Sequence, residues 1–207
     1  MIYTLHTVTA APRRWPEVAR VVKSEGAAAV REAGGVFYGV WWGLLGLAST
    51  QGMVMSAWPD ANAATRDAGK VLAGCADIVE TTLDLLEPTV RPTESTPPDR
   101  PGVYAFRTFE LAEDDWPSFR DLSLGVWPTF EPTYDARVYG LFRNLAVAPP
   151  RRRMLLLTNY PSMAVWEKSR LRTLHTGGDS GAPEAKANLS KRLDVTTWTR
   201  VVIGVPA

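Results

Sequence analysis

Ile2-Tyr3-Thr4-Leu5-His6-Thr7 and Val103-Tyr104-Ala105-Phe106-Arg107-Thr108 decide how this chain folds. Tyr and Thr recur in both at one offset of 101 (104 − 3). Working outward, the same offset pairs Trp15-Pro16 with Trp116-Pro117 and Tyr38-Gly39 with Tyr139-Gly140. Conservative pairs fill the frame: Val18/Phe119, Val40/Leu141 and Trp41/Phe142, then Met53/Met154. After a one-residue slip, Trp58-Pro59 matches Tyr160-Pro161. At a larger offset, Thr81-Thr82-Leu83 matches Thr196-Thr197-Trp198. Chance matches scatter over many offsets, so the chain is an internal duplication. The second copy carries an insertion, Thr176 to Ala187, that reads as a Gly/Ser/Pro-rich loop.

Each copy reads alike. Ile2–Val8 is short, β-branched and aromatic, and so a strand. Apolar residues at Trp15, Val18, Val21, Val22 and Val30 have helical spacing, and the proline after each Trp suits a first helical turn. Two strands follow, Val36–Leu44 and Gly52–Trp58, with counterparts Arg137–Leu145 and Arg153–Tyr160. A second helix (Asp60–Gly74, Ser162–Leu174) and a closing strand (Val79–Leu86, Val195–Gly204) complete the order β-α-β-β-α-β, the ferredoxin-like unit. Residues 1–88 form unit 1 and 102–207 unit 2. Between them, residues 89–101 are proline-rich and polar, which makes a stiff extended linker.

One such unit covers a single sheet face with its helices, and the other face needs a partner. Val36 to Leu45 is apolar or aromatic at both parities, unlike a strand with one wet face. Two units stacked sheet to sheet satisfy this. The expected fold is α+β, an intramolecular dimeric α/β barrel with a pseudo-twofold axis.

Composition narrows the function classes. Lys+Arg 23 against Asp+Glu 22 leaves +1, so no net field draws nucleic acid or an anionic membrane. The single cysteine, Cys75, excludes an internal disulfide framework and a cysteine-based zinc site. The start of the chain lacks the basic and apolar regions of a signal peptide. The longest apolar run, Val36 to Ala48, is interrupted by glycines and falls short of the roughly 20 residues a membrane helix needs. The expected location is cytoplasmic. No phosphate-binding glycine motif, no HExxH and no carboxylate–histidine cluster is present, so neither a nucleotide nor a metal site is expected.

Val103-Tyr104-Ala105-Phe106-Arg107-Thr108 resembles the opening strand of the NIPSNAP family, and Thr158-Asn159-Tyr160-Pro161-Ser162-Met163-Ala164-Val165-Trp166-Glu167-Lys168-Ser169-Arg170 is similar to its strand-to-helix segment. The first copy matches in outline, with His6 where the second has Arg107. The resemblance implies the dimeric α/β-barrel superfamily, which includes cofactor-free monooxygenases, cyclases, isomerases and haem enzymes. It brings no general catalytic motif with it.

His6 and Arg107 occupy equivalent positions. If their face lines the barrel, a proton-transferring imidazole and an anion-holding guanidinium approach one cavity from opposite halves. Tyr38, Trp42, Tyr139 and Arg143 share a parity by simple alternation. With Met55 and Trp198 they could wall a pocket for a planar organic ligand, although core packing is the first explanation for each aromatic and for the methionine. His175, at the end of the second helix of copy two, is the haem-ligand candidate besides His6, and helix-end carbonyls would also explain it. Arg151-Arg152-Arg153 reads as a solvated turn, Glu113-Asp114-Asp115 as helix-dipole stabilisation, and Cys75 as structural.

The leading expectation is an enzyme binding a small apolar or aromatic molecule inside the barrel. It would be a cofactor-independent oxygenase or a cyclase/isomerase, with His6 moving a proton and Arg107 or Arg143 holding negative charge. The alternatives are a haem-binding barrel enzyme and a non-catalytic NIPSNAP-like binding or assembly module. Both a monomer and a homodimer are compatible with the sequence.

Overall fold

The computed structural model describes residues 1–174 and 183–207. Unit 1 runs β1 (Ile2–Ala10), α1 (Trp15–Val21), a π turn and α2 (Ala27–Glu32), β2 (Val36–Leu45), β3 (Gln51–Trp58), α3 (Ala61–Asp67) and β4 (Ile78–Pro88). Unit 2 runs β5 (Val103–Ala112), α4 (Trp116–Tyr134), β6 (Arg137–Asn144), β7 (Arg151–Tyr160), α5 (Met163–Leu174), α6 (Pro183–Asp194) and β8 (Trp198–Pro206). The eight strands close into one antiparallel barrel in the order β1-β3-β2-β8-β5-β7-β6-β4. The halves join at their edges, β2 to β8 (Gly43 opposite Gly204) and β4 to β6 (Leu86 opposite Asn144). Among the described residues, no helix is long and apolar enough to cross a membrane.

Residues from both halves fill the middle of the barrel: Tyr3, Leu5, Tyr38, Trp41, Met55, Tyr104, Phe106 and Phe142 are all buried in one cluster. Trp41 meets Tyr104 and Phe106 at ring separations of 5.4 and 5.2 Å, and Tyr3 meets Phe142 at 5.0 Å. Each unit thus covers the other's exposed sheet face. Burying aromatic surface from both halves is the main reason the barrel closes.

The residues after β4 dock against the barrel. Thr89 N–H donates to the Leu141 carbonyl and Leu141 N–H to that of Arg91, extending the β4–β6 ladder. Further on, the Tyr3 hydroxyl donates to the Glu94 carbonyl (3.2 Å) and the Tyr104 hydroxyl to that of Arg100 (2.6 Å). The proline-rich stretch is a strap across one barrel end.

Two differences from the sequence reading bear on the site. Strand pairing shifts register between Phe37 and Gly39, and between Val138 and Gly140. Bulges of this kind re-aim the side chains that follow. Here Tyr38 and Trp41 both face the interior, while Trp42 turns outward. Only glycine fits at these bends, because a methyl on Gly39 would overlap the Trp41 ring and one on Gly140 the Phe142 ring. The second difference is α6. Its first residues fall in the stretch read as loop, yet Pro183–Asp194 is helical and packs on α4, where Gly125 lies under Asn188.

Candidate functional site

The outer faces of the two half-sheets have diverged. In unit 1 the space beneath the helices is solid. Val18, Val22, Val30 and Val71 from the helical layer pack on Val8, Val40, Val54 and Trp58, all buried. The Trp58 indole N–H donates to Thr4 Oγ1 at 3.0 Å. A methyl on Gly26 would overlap the Val71 carbonyl oxygen, so the helical layer closes tightly there.

His6 sits in this solid half, 3% exposed. Its Nε2 lies 3.0 Å from the Ala68 carbonyl, which can only accept, so Nε2 carries the proton. Its Nδ1 lies 3.3 Å from Thr81 Oγ1. Burial pushes its pKa below the ordinary histidine value, partly opposed by the bond to Ala68. This is the environment of a structural histidine.

Its counterpart Arg107 faces a cavity. In unit 2, a narrow cleft lies between the outer faces of β5, β6 and β7 and the helices α4, α5 and α6; its enclosed void is about 30 Å³, opening to about 450 Å³ of unfilled space when the solvent-exposed mouth is included. The floor is Ala105, Leu156 and Thr158, the walls are Trp127, Phe130, Tyr160 and Trp166, and three cations reach in: Arg107 from β5, Arg170 from α5 and Arg192 from α6. Local sequence explains the placement. Phe119, Val126 and Trp127 anchor α4 on the sheet. Ala185, Leu189 and Arg192 fall at helical spacing on the inner side of α6.

The electrostatics are unusual. Arg192 is 5% exposed. Its Cζ lies 5.1 and 5.8 Å from the Phe109 and Phe119 ring centres, and Arg107 Cζ is 5.7 Å from the same Phe109 ring. Among the described residues, Arg192 makes one hydrogen bond, a long one from Nη1 to Ser123 Oγ at 3.5 Å, and its Nε has no partner. Burial, reinforced by the charge of Arg170, pushes Arg107 down to about 10 and Arg192 to about 9. Among the described residues no carboxylate pairs with Arg107, Arg170 or Arg192, whereas other arginines of the linker and this half do find one: Arg91 with Glu131 (2.8 Å), Arg143 with Glu87 (2.9 Å), Arg153 with Glu110 (3.0 Å) and Arg152 with Glu113.

The expected site residues are therefore dispersed. His6 and Arg107 lie on the outer faces of opposite halves and share no cavity. The strand parity is the reverse of that expected, because Tyr3/Leu5 and Tyr104/Phe106 turn inward to meet the other half. Tyr38 and Met55 are inside the barrel but fully packed. Tyr139 points to the strapped end, its hydroxyl 3.4 Å from Asp99 Oδ1. Trp42 (41% exposed) and Trp198 (47%) are at the surface, and Arg143 is tied to Glu87 outside the barrel. Arg151, Arg152 and Arg153 are neutralised by Glu110 and Glu113. His175 lies outside the described residues. The barrel interior opens at its other end into a cavity of about 310 Å³ bounded in part by Leu5, Met53 and Phe106. The sequence reading missed Arg170 and Arg192; the helical spacing after Pro183 was the signal that could have found Arg192.

No family model matches this chain, and no curated protein matches it. Solved structures do. An anthrone oxidase-like protein is 12% identical and aligns over 100% of this chain and 91% of its own, with a TM-score of 0.62. This chain is a dimeric α/β barrel. A putative monooxygenase from Lactobacillus acidophilus aligns with this barrel at 9% identity, covering 99% of this chain and 92% of that one, with a TM-score of 0.59. A chlorite dismutase variant from Candidatus Nitrospira defluvii aligns at 10% identity over 100% and 91%, with a TM-score of 0.58. These likenesses carry the fold and no chemistry.

Haem takes an axial ligand such as imidazole, thiolate or phenolate. The described residues lining the cleft offer Tyr160 but no imidazole or thiolate, and His6 is engaged in the other half. The haem-ligand candidate His175 lies outside the described residues. Among the described residues no cluster of three or more His, Cys, Asp or Glu side chains could hold a metal ion.

Proposed function

We propose that this barrel is a small-molecule enzyme whose ligand, an organic molecule with an aromatic or otherwise apolar body, sits in the cleft between the unit 2 sheet and α4–α6. The observation that carries the proposal is the pairing of aromatic walls with one buried guanidinium, Arg192, and two half-buried ones, Arg107 and Arg170, none of which pairs with a carboxylate among the described residues. Aromatic lining with a few convergent polar groups is the usual make-up of such sites. The reaction is of the cofactor-independent oxygenase or cyclase/isomerase type, and the likeness to an anthrone oxidase-like protein and a putative monooxygenase supports the first. Membership among NIPSNAP-like proteins belongs to the same proposal and is supported by the segments 103–108 and 158–170. So does a cytoplasmic location.

Arginine keeps its proton at neutral pH, so neither Arg107 nor Arg192 is the base. The described lining holds no imidazole and no carboxylate. The cations act instead on a bound hydroxyaryl or β-dicarbonyl group. Opposite charge in a low-dielectric cleft favours the ionised oxygen, which sheds its proton to water at the mouth. The resulting anion is electron-rich at carbon. In the oxygenase form that carbon bonds to dioxygen, which is reduced to a hydroperoxide and takes up a proton. In the cyclase/isomerase form it attacks a carbonyl or is reprotonated.

The test supplies polycyclic hydroxyaryl ketones in air, following dioxygen uptake, and repeats the assay without oxygen to catch ring closure or isomerisation. Turnover that falls in Arg107→Gln supports the reading. Absence of turnover, with no change in Trp127 or Trp166 fluorescence on adding any aromatic ligand, overturns it in favour of a non-catalytic module.

A further inference from the structure

The charge count in the cleft says more about the ligand than its shape does. Three guanidinium groups converge, and a single ionised oxygen compensates one of them. Burying a charge without a partner is costly, and a native fold keeps such a group where a ligand completes it. Arg192 is the clearest case: 5% exposed and, among the described residues, with one hydrogen bond of 3.5 Å and an Nε without a partner. Arg107 shares the Phe109 ring with it, the two guanidinium carbons lying 5.7 and 5.1 Å from that ring's centre. Arg170, on α5, lines the same cleft and is part-buried, its Nε 3.3 Å from Ser169 Oγ.

We propose that the ligand is an organic acid carrying a permanent carboxylate in addition to the oxygen on which charge develops, a hydroxyaryl or β-oxo carboxylic acid, and that Arg107, Arg170 and Arg192 together form its anion-binding subsite. This inference rests on the cleft being the ligand site. The planar guanidinium fork matches a carboxylate edge through two parallel hydrogen bonds, which a lysine cannot supply. The aromatic walls take the body of the same molecule, Trp127 and Phe130 from α4 and Trp166 from α5. The unit 1 half shows the contrast: at the position of Arg107 it has His6, satisfied by Ala68 and Thr81, and no cation is left over there.

The experiment titrates the full chain with 2-hydroxybenzoate, benzoate, phenol, benzamide and inorganic phosphate, read by isothermal calorimetry and tryptophan fluorescence. The expected result is that the two carboxylates bind at least about tenfold tighter than phenol and benzamide, with 2-hydroxybenzoate the tighter of the two. In Arg192→Gln and in Arg107→Gln the preference disappears, at a cost of about thirtyfold or more in carboxylate affinity, as expected when one partner of a buried charge pair is removed. Arg192→Lys keeps the charge and loses the fork, and falls in between. Arg200→Gln, at the barrel mouth, leaves the affinities unchanged and serves as the folded control. Phenol and benzamide binding as well as the carboxylates would overturn this inference and leave the proposed aromatic site standing. Binding of none of the aromatic probes would overturn both. Phosphate binding as tightly as benzoate would assign the arginines to an inorganic anion and overturn the organic acid.

Discussion

Replacing Arg192 with methionine should make the ligand-free protein more stable while destroying its anion affinity. The side chain is almost completely enclosed and, among the described residues, makes one long hydrogen bond and pairs with no carboxylate. Exchanging buried ionic groups for apolar ones of similar volume often stabilises by about 1–4 kcal/mol. Against this stand the contacts of the guanidinium with Phe109 and Phe119, at 5.1 and 5.8 Å. Cation–π contacts contribute about 0.5–2 kcal/mol, and methionine sulfur recovers part of that on the same rings. The net expectation is a gain of about 1–2 kcal/mol, or roughly 2–8 °C in Tm for a chain of this size. Differential scanning calorimetry in a chloride buffer free of organic acids is the assay, alongside the wild type with and without 2-hydroxybenzoate. The wild type should rise on adding the acid and the variant should not. A variant that melts several degrees below the ligand-free wild type would refute the reasoning, since it would mean that Arg192 is already compensated within the fold.

Arg107→Gln should lower kcat by about 10²–10³ on any substrate turned over, the usual loss when one donor to a developing oxyanion is removed; an unchanged kcat would take Arg107 out of the chemistry. His6 should make the protein acid-labile. Its folded pKa lies below the ordinary value of about 6.5, so its contribution to stability is present above that pH and lost as the pH falls through the folded value. Urea unfolding at pH 5 and 7.5 should show a steeper decline in the wild type than in His6→Gln. Gly140→Ala should cost about 1–3 kcal/mol by forcing the Phe142 ring out of the barrel core, read as a lower urea midpoint with unchanged slope. Trp166→Leu should reduce aromatic-ligand affinity severalfold with little change in the urea midpoint, because that ring is only half-buried on α5.

The architecture was legible because a duplication at constant offset reports topology directly: Trp15 and Trp116, or Tyr38 and Tyr139, name equivalent places before any coordinate is known. The site was not legible, for two physical reasons. Alternation fails as a guide when both faces of a strand are apolar. Tyr3 and Leu5 could as well have faced the helices, and only the closed barrel shows that they meet the other half. A register shift at Gly39 or Gly140 then reverses every residue beyond it, which is why Trp42 and Arg143 left the interior. Arg192 was hidden in another way. It follows a stretch whose composition reads as loop, and its meaning depends on Phe109 and Ser123, far away in sequence.

The fused barrel also bears on how such a protein can change. In an assembly of two identical chains, every substitution lands twice, and a cluster of uncompensated cations would weaken both halves at once. Here the tightly packed unit 1 can act as ballast, holding the shared wall while unit 2 carries a destabilising cavity. Substitutions scanned across the chain should accordingly sort by half: those beneath α1 and α2 registering in yield and melting behaviour, and those beneath α4–α6 in ligand choice.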